Sequence, residues 1–332
     1  MSLISWNVRG LGNPRAFDKL RMLIRDTSPS LAFLMETRLR SKAAESVKRR
    51  CGFHGGFYVD CSGRSGGLML MWKEEVEVHI QSYSQSHIDC HVRFPHGVWW
   101  RFTGFYGNPS RSDRHHSWTL LLRLKSLSNL PWVVAGDFNE ILFLSKKEGG
   151  NNRYYPSMNQ FRDTVESCDL VDLGFVGPKF TWDNGQEGGA HIRERLDRAL
   201  GCDEWINLFP YYGVRNMDFY DSDHRALWLE LVRDRNRAGR GPKKRKWFRF
   251  EPFWMTDEDF KDTLRTSWGT TGSVGDCDGF GRKLQSCGRD LSGWSRVKFG
   301  RITRRVRNLH EEIERIRNAS ALGYNRRRLW EW

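Results

Sequence analysis

Asp137 and Asn139 stand at the end of an apolar run, Trp132-Val133-Val134-Ala135, inside the stretch Gly136-Asp137-Phe138-Asn139. The run reads as a short buried strand. In extended geometry residues two apart point to one side, so this strand delivers a carboxylate and an amide together. Asp can orient or deprotonate a water. Asn can hold that Asp and donate to a phosphate oxygen. Other apolar runs end in the same way: residues 2–6 run into Asn7, 31–35 into Glu36, and 98–105 into Tyr106. Asp223 and His224 precede the run 226–231, and Asp197 sits within the run 194–200.

Together these groups read as a phosphodiester hydrolase. A hard divalent cation takes oxygen ligands. Glu36 is the principal ligand in this reading, with the Asn7 amide oxygen beside it; the ion polarises a phosphoryl oxygen and offsets developing charge. Asp137 orients or deprotonates the water and Asn139 fixes Asp137. His224 binds the phosphate as a cation or a donor, with Asp197 holding its tautomer. Tyr106 donates to the phosphate or, at a lowered pKa, adds to transition-state binding. Singly, each residue has an ordinary reading: a turn Asn before a Gly-rich loop, a surface Glu, a core Tyr, a Ser-Asp-His helix cap. Their recurrence at strand ends carries the weight.

The elements that must position them follow from periodicity. Phe17, Leu20 and Ile24 predict an amphipathic helix over 15–25, and a second is expected over 113–128 with Trp118, Leu121, Leu122 and Lys125 inward. Met158, Phe161, Val165 and Cys168 mark a third over 157–168. Residues 57–60 and 68–72 read as strands. Alternation at Val76, Val78, Ile80 and again at Ile88, Cys90, Val92, Phe94 predicts half-buried, hairpin-linked antiparallel strands. Residues 179–182 read as a short strand and 205–209 as a helical piece.

The 332 residues carry a net charge of +14. Residues 233–332 hold 25 Lys and Arg against 13 Asp and Glu, whereas 1–232 hold 29 against 27, so the basic excess lies in the last hundred. A basic segment beside a near-neutral domain points to a polyanion, most simply nucleic acid. Residues 233–246 read as a linker, and Lys243-Lys244-Arg245-Lys246 suits a nuclear address. Trp247-Phe248-Arg249-Phe250-Glu251-Pro252-Phe253-Trp254 is aromatic-rich. Phe299, Ile302, Val306, Leu309, Ile313 and Ile316 form a short a/d seam. The basic-aromatic sequence running to Trp332 has no evident cap and is expected to be a piece of a longer protein. Seven scattered cysteines without a Cys-x-x-Cys pair argue against a disulfide framework or zinc ribbon and for a reducing compartment. No signal peptide or membrane span is read, so a nuclear or cytoplasmic, non-secreted protein is expected.

Trp6-Asn7, Glu36-Thr37, Gly136-Asp137-Phe138-Asn139, Leu196-Asp197 and Ser222-Asp223-His224, in this order, resemble the endonuclease/exonuclease/phosphatase superfamily over residues 1–232. The resemblance implies an α/β fold, a four-layer sandwich of two mainly antiparallel sheets flanked by helices. It also implies Asn7 and Glu36 as magnesium ligands (manganese as the alternative) with Asp223 near the metal. Tyr106, Asp137, Asn139, Asp197 and His224 take the catalytic roles. Trp6 to Pro14, Gly104 to Pro109 and Phe180-Thr181-Trp182 are similar to endonuclease domains of plant LINE-type non-LTR retrotransposons. Residues 247–332 look like the helical, basic segment that joins such an endonuclease to a reverse transcriptase. The resemblance implies a DNA-nicking enzyme that leaves a 3′-hydroxyl, with RNA a further partner of the basic extension. Arg9 stands where abasic-site endonucleases have Asp. Asn108 is one residue nearer Tyr106 than their matching Asn; with Arg9 and Trp182 it is assigned to substrate binding. Two alternatives stay open: a small-molecule or lipid phosphoesterase of the same superfamily, and a catalytically silent nucleic-acid-binding remnant.

Overall fold

The computed structural model describes residues 1–63, 65–232 and 252–269, together with 280–281, 283–284, 286–291, 293–295 and 298. The expected linker 233–246, the stretch 247–251 and the Phe299–Ile316 seam lie outside the described residues. The chain divides into two units, Met1–Lys243 and Lys244–Trp332.

The first unit opens with β1 (Ser2–Asn7), α1 (Pro14–Thr27), β2 (Leu31–Met35), α2 (Ser41–Arg50), β3 (Gly55–Val59) and β4 (Leu68–Trp72). It continues with β5 (Glu77–Ser84), β6 (His87–Arg93), β7 (Trp100–Tyr106), α3 (Arg114–Lys125) and β8 (Trp132–Asp137). Then come β9 (Lys147–Glu148), α4 (Tyr155–Ser167), β10 (Val171–Asp172), β11 (Trp182–Asp183), β12 (Arg193–Glu194), β13 (Asp197–Gly201), α5 (Asp203–Leu208), β14 (Gly213–Asn216) and β15 (Leu227–Glu230). One six-stranded sheet has the order β14-β15-β1-β2-β4-β3; the other has β10-β13-β8-β7-β6-β5. A small third sheet, β11-β12-β9, lies beyond them. The expected four-layer sandwich is therefore present.

Each large sheet contains one parallel pair among antiparallel neighbours: β1 with β2, and β7 with β8. A helical crossover joins each pair, α1 in the first and α3 in the second. Parallel strands end at the same edge. Asn7 therefore aligns with Met35, the residue before Glu36, and Tyr106 aligns with Asp137. These strands are buried on both faces, which is why they read as continuous apolar runs. Between the sheets Phe33 meets Phe102 edge-on at 6.1 Å, and Gly104 leaves the room: a Cβ there would stand 2.4 Å from the Phe33 ring. Outside the first sheet Ile4, Trp6, Leu34 and Met71 pack under α1 and α2. Outside the second, Phe161 of α4 stacks on Trp118 of α3 at 4.5 Å and touches Phe138 at 5.3 Å.

Several expectations are corrected. Leu122 of α3 is 45 % exposed; Trp118, Leu121 and Leu124 form the inner face with Arg114 and Ser117. Three successive leucines give no contrast from which to choose a face. The expected strand 194–200 breaks at Arg195 and Leu196, where Thr181 Oγ1 accepts the N–H groups of Leu196 and Asp197 instead of a strand neighbour. The strand expected over 179–182 is only Trp182–Asp183. Helix α2, not anticipated, buries just Ala44 and Val47.

In the second unit a 3₁₀ turn (Pro252–Thr256) leads into α6 (Glu258–Gly269). Trp254, Phe260, Cys287 and Leu291 form a small core. Among the described residues no helix is long and apolar enough to cross a membrane, and six of the cysteines carry free thiols.

Candidate active site

The site assembles at the edge where the parallel pairs end. Non-glycine residues there with left-handed backbone include Arg9 (φ 53°), Glu36 (φ 51°), Arg38 (φ 55°) and Asn139 (φ 54°). Such conformations are uncommon outside glycine and concentrate at functional sites. Here each turns the chain sharply just past a strand end, so the side chain projects over the sheet edge. Asn139 therefore does not share a strand face with Asp137 by alternation, as extended geometry suggested. It reaches Asp137 from a turn, its backbone N–H donating to Oδ1 at 2.9 Å and its amide to the Gly107 carbonyl at 2.8 Å. Gly136 permits the close approach of β7 and β8 beneath: a Cβ would lie 1.7 Å from the Phe105 carbonyl oxygen.

Asn7 is fully buried. Its amide nitrogen donates to Glu36 Oε1 at 3.0 Å and Asp137 Oδ2 at 3.2 Å, while its oxygen accepts the Arg9 N–H at 3.2 Å. The sequence reading turned that oxygen toward a cation; in this arrangement Asn7 instead ties the two carboxylates together as a donor. The Tyr106 hydroxyl donates to Glu36 Oε1 at 2.8 Å. Burial, then the nearby Glu36 and Asp137, push the Tyr106 phenol far up. This direction is opposite to the lowered pKa expected from the sequence and favours the neutral phenol, which can donate a hydrogen bond.

His224 Nδ1 pairs with Asp197 Oδ2 at 2.9 Å, and its Nε2 faces Asp137 Oδ2 at 3.7 Å. All three side chains are buried. Burial works against the imidazolium, but Asp197 first and Asp137 next outweigh it and hold the ring charged well above its ordinary range. Asp137 is raised to about 6, by burial chiefly, against the pull of His224 and with the push of Asp197. The Trp6 indole N–H donates to the His224 carbonyl at 3.0 Å, and Ser222 Oγ donates to the Asn7 carbonyl at 2.7 Å while accepting the His224 N–H at 3.1 Å. These bonds lock the 222–224 turn onto β1.

Arg9 bonds Asp223 and lies 3.9 Å from Glu36, so its guanidinium spans two carboxylates. Arg38 stands 3.8 Å from the same Glu36 oxygen. The Trp182 indole donates to Asp223 Oδ2 at 3.0 Å. Asn108 is used by its own turn: its Oδ1 accepts the Ser110 N–H at 2.9 Å and its N–H goes to Ser117 Oγ at 2.8 Å. Sequence reasoning missed Thr181, Arg38 and the Met35 sulfur, which accepts the Asp137 N–H at 3.4 Å. Each adjoins a residue that was singled out, and adjacency was the only signal.

Among the described residues, Asp197 Oδ1 and Asp223 Oδ1 are buried without a hydrogen-bond partner. Ligand atoms of Asp137, Asp197 and His224 lie within 4.8 Å of one another, but there the imidazolium already supplies the positive charge. Glu36 and Asp223, bridged by Arg9, offer carboxylate oxygens suited to a hard divalent cation, and the orphaned Asp223 oxygen is an atom such an ion would satisfy.

Two mixed sheets with helices outside, and a carboxylate–histidine cluster at the strand ends, define a phosphodiester hydrolase. The chain belongs to the endonuclease/exonuclease/phosphatase family, whose profile matches residues 4–224. Among solved structures, the endonuclease domain of TRAS1, a telomere-specific non-LTR retrotransposon, is similar at 14% identity and a TM-score of 0.53, covering 69% of this chain and 97% of that one. The 3′-5′ exonuclease NExo of Neisseria meningitidis is similar at 16% and 0.55, over 70% and 100%. The AP endonuclease LMAP of Leishmania major is similar at 18% and 0.55, over 69% and 86%. At these identities the likeness is one of fold. No curated protein matches the chain.

Proposed function

We propose that the protein is a divalent-metal-dependent DNA endonuclease that nicks its target to leave a 3′-hydroxyl, derived from a non-LTR retrotransposon. The observation that carries this reading is the buried chain Asp197–His224–Asp137 beside Glu36, assembled from the ends of both sheets. Glu36 and Asp223 would hold a cation that neutralises charge developing on the phosphoryl oxygens, with Asn7 fixing Glu36 through its amide nitrogen. Asp137, fixed by Asn139 and Asn7, takes a proton from the attacking water. The water oxygen bonds to phosphorus and the P–O3′ bond breaks, leaving a 5′-phosphate and a 3′-oxygen that takes a proton from solvent. His224, kept cationic by Asp197, and the neutral Tyr106 donate to non-bridging oxygens. The basic residues 233–332 favour a nucleic-acid substrate over a small phosphoester, and Lys243–Lys246 would serve as a nuclear address.

The test is nicking of supercoiled plasmid with magnesium, with chelator, and with a Glu36→Ala preparation. Metal-dependent nicks absent from Glu36→Ala are expected. Nicks that persist in chelator, equal nicking by the variant, or no nicks with either magnesium or manganese overturn the reading.

Arg9 enters this account as a resident cation. Its side chain is 48% exposed, free to leave Asp223 when a metal ion arrives and to pair with a substrate phosphate. Arg9→Ala should lower the manganese concentration that half-fills the site by about two- to fivefold, the worth of one half-exposed ion pair. Manganese electron paramagnetic resonance measures this without turnover. Unchanged or weaker binding would show that Arg9 does not compete for the carboxylates.

A further inference from the structure

Beside Asn139, outside the residues given catalytic roles, the loop after Tyr106 meets the start of α4. The Arg111 guanidinium lies 3.9 Å from the centroid of the Tyr154 ring. Tyr154 is 52% exposed and Tyr155 59%, and Arg111 is exposed as well. Single exposed aromatics are ordinary. Two in succession, one under a guanidinium and next to a hydrolytic site, form a surface with a chemistry of its own.

What fixes that surface is buried. Glu140, which follows Asn139, is 1% exposed. Its Oε2 accepts from Arg114 Nη1 at 2.7 Å and from Ser157 Oγ at 2.5 Å. Arg114 also donates to the carbonyls of Asn108 at 3.2 Å and Pro109 at 2.9 Å, which anchors the loop bearing Arg111. Ser157 and Arg153 bracket the two tyrosines. Arg153 donates to the Asn139 carbonyl at 3.3 Å and holds Glu194 with the rest of its guanidinium. Both halves of the surface are thus tied to the Gly136–Asn139 turn.

We infer that Arg111, Tyr154 and Tyr155 form a stacking platform for an unpaired base of the strand whose phosphate occupies the catalytic site. The inference rests on the nucleic-acid reading of that site. Every base has a π-face, so aromatic rings and guanidinium planes hold unstacked bases with little regard to sequence. A paired base cannot offer that face without leaving the helix. The platform therefore selects substrates in which a base beside the cut is unpaired or easily unstacked. Its rigid link to the catalytic turn makes it ready before the strand arrives.

The experiment uses the full chain in chelator, so that nothing is cut. Fluorescence anisotropy gives the affinity for a fully paired duplex and for the same duplex with one base left unpaired. Tyr154 makes no capping bond at the start of α4, so Tyr154→Ala removes the ring without removing a cap. Tyr154→Ala should weaken binding of the unpaired-base duplex about tenfold, within the range for loss of one stacked base. Affinity for the paired duplex should change less than about twofold, since phosphate contacts dominate there, and Tyr154→Phe should match the parent on both. Equal weakening on both duplexes, or no change on either, overturns the platform. Metal-dependent hydrolysis of methyl p-nitrophenyl phosphate, a diester without a base, separates the two levels. A parent that cleaves neither this ester nor DNA sinks the nuclease reading, while the binding comparison still decides the platform.

Discussion

Asp137→Asn should slow nicking by about 10²–10⁴-fold, the usual worth of a positioned general base, while the folded variant gains on the parent in stability as pH rises from about 4 to 6. The first effect follows from removing the carboxylate proposed above to take the proton of the attacking water. The second follows from burial. The folded Asp137 pKa, about 6, lies above the unfolded value near 4. Between those values the native state binds more protons than the unfolded one, so parent stability falls with rising pH. The Asp137 contribution is greatest below about 4 and has been lost once pH passes about 6. Asn does not titrate, so whatever constant offset its amide brings, the difference in Tm between variant and parent should move in the variant's favour across that window. The size is on the order of 1–3 kcal/mol, from one to two pKa units. Thermal unfolding of both proteins at pH 4, 5, 6 and 7 reads it. A flat difference would mean that His224 and the amides compensate the buried carboxylate fully.

Asp89→Ala should lower Tm by about 10 °C. Asp89 and Arg101 are both essentially unexposed on neighbouring strands of the second sheet. Arg101 donates Nε to Oδ1 at 2.8 Å and Nη2 to Oδ2 at 3.0 Å, and its Nη1 reaches the Leu124 carbonyl at 2.7 Å. Thr103 Oγ1 adds a bond to the same carboxylate at 2.6 Å. Removing one member leaves a guanidinium buried without its charge partner, at about 3–5 kcal/mol. A domain of this size loses about 2–4 °C per kcal/mol. Replacing both residues with apolar ones should recover much of the loss, because the pair's own desolvation goes too. A single-variant drop under about 3 °C would show that water or a neighbouring group reaches Arg101. The KM of the folded fraction should not change, since Asp89 touches none of the catalytic groups.

The strands that build the site were legible because they are buried on both faces. Leu31–Met35 and Trp132–Asp137 announce themselves as apolar runs, and the polar residue that breaks each run falls at the sheet edge. That one rule placed Asn7, Glu36, Tyr106 and Asp137 together. What stayed hidden was set by contacts distant in sequence or by backbone conformation. Glu140 reads as an ordinary residue after Asn139, and only folding brings Arg114 and Ser157 to it. The left-handed turn at Asn139 leaves no trace in a hydrophobic pattern. Arg9 is assigned to substrate binding from the sequence, and no hydrophobic pattern shows that its guanidinium pairs with Asp223. Helix α2 buries too few residues to give a period.

The pairing of β15 with β1 joins Leu227–Glu230 to Ser2–Ser5. A nascent chain cannot complete its first sheet until residue 230 has left the ribosome, and the loop to be closed is nearly the whole domain. Such long-range closure makes folding slow relative to helical proteins. His224 reaches Asp137 only on that same closure. A product terminated anywhere before β15 would lack the histidine's support, so hydrolytic competence appears only once that strand has emerged and paired with β1 rather than building up along the domain.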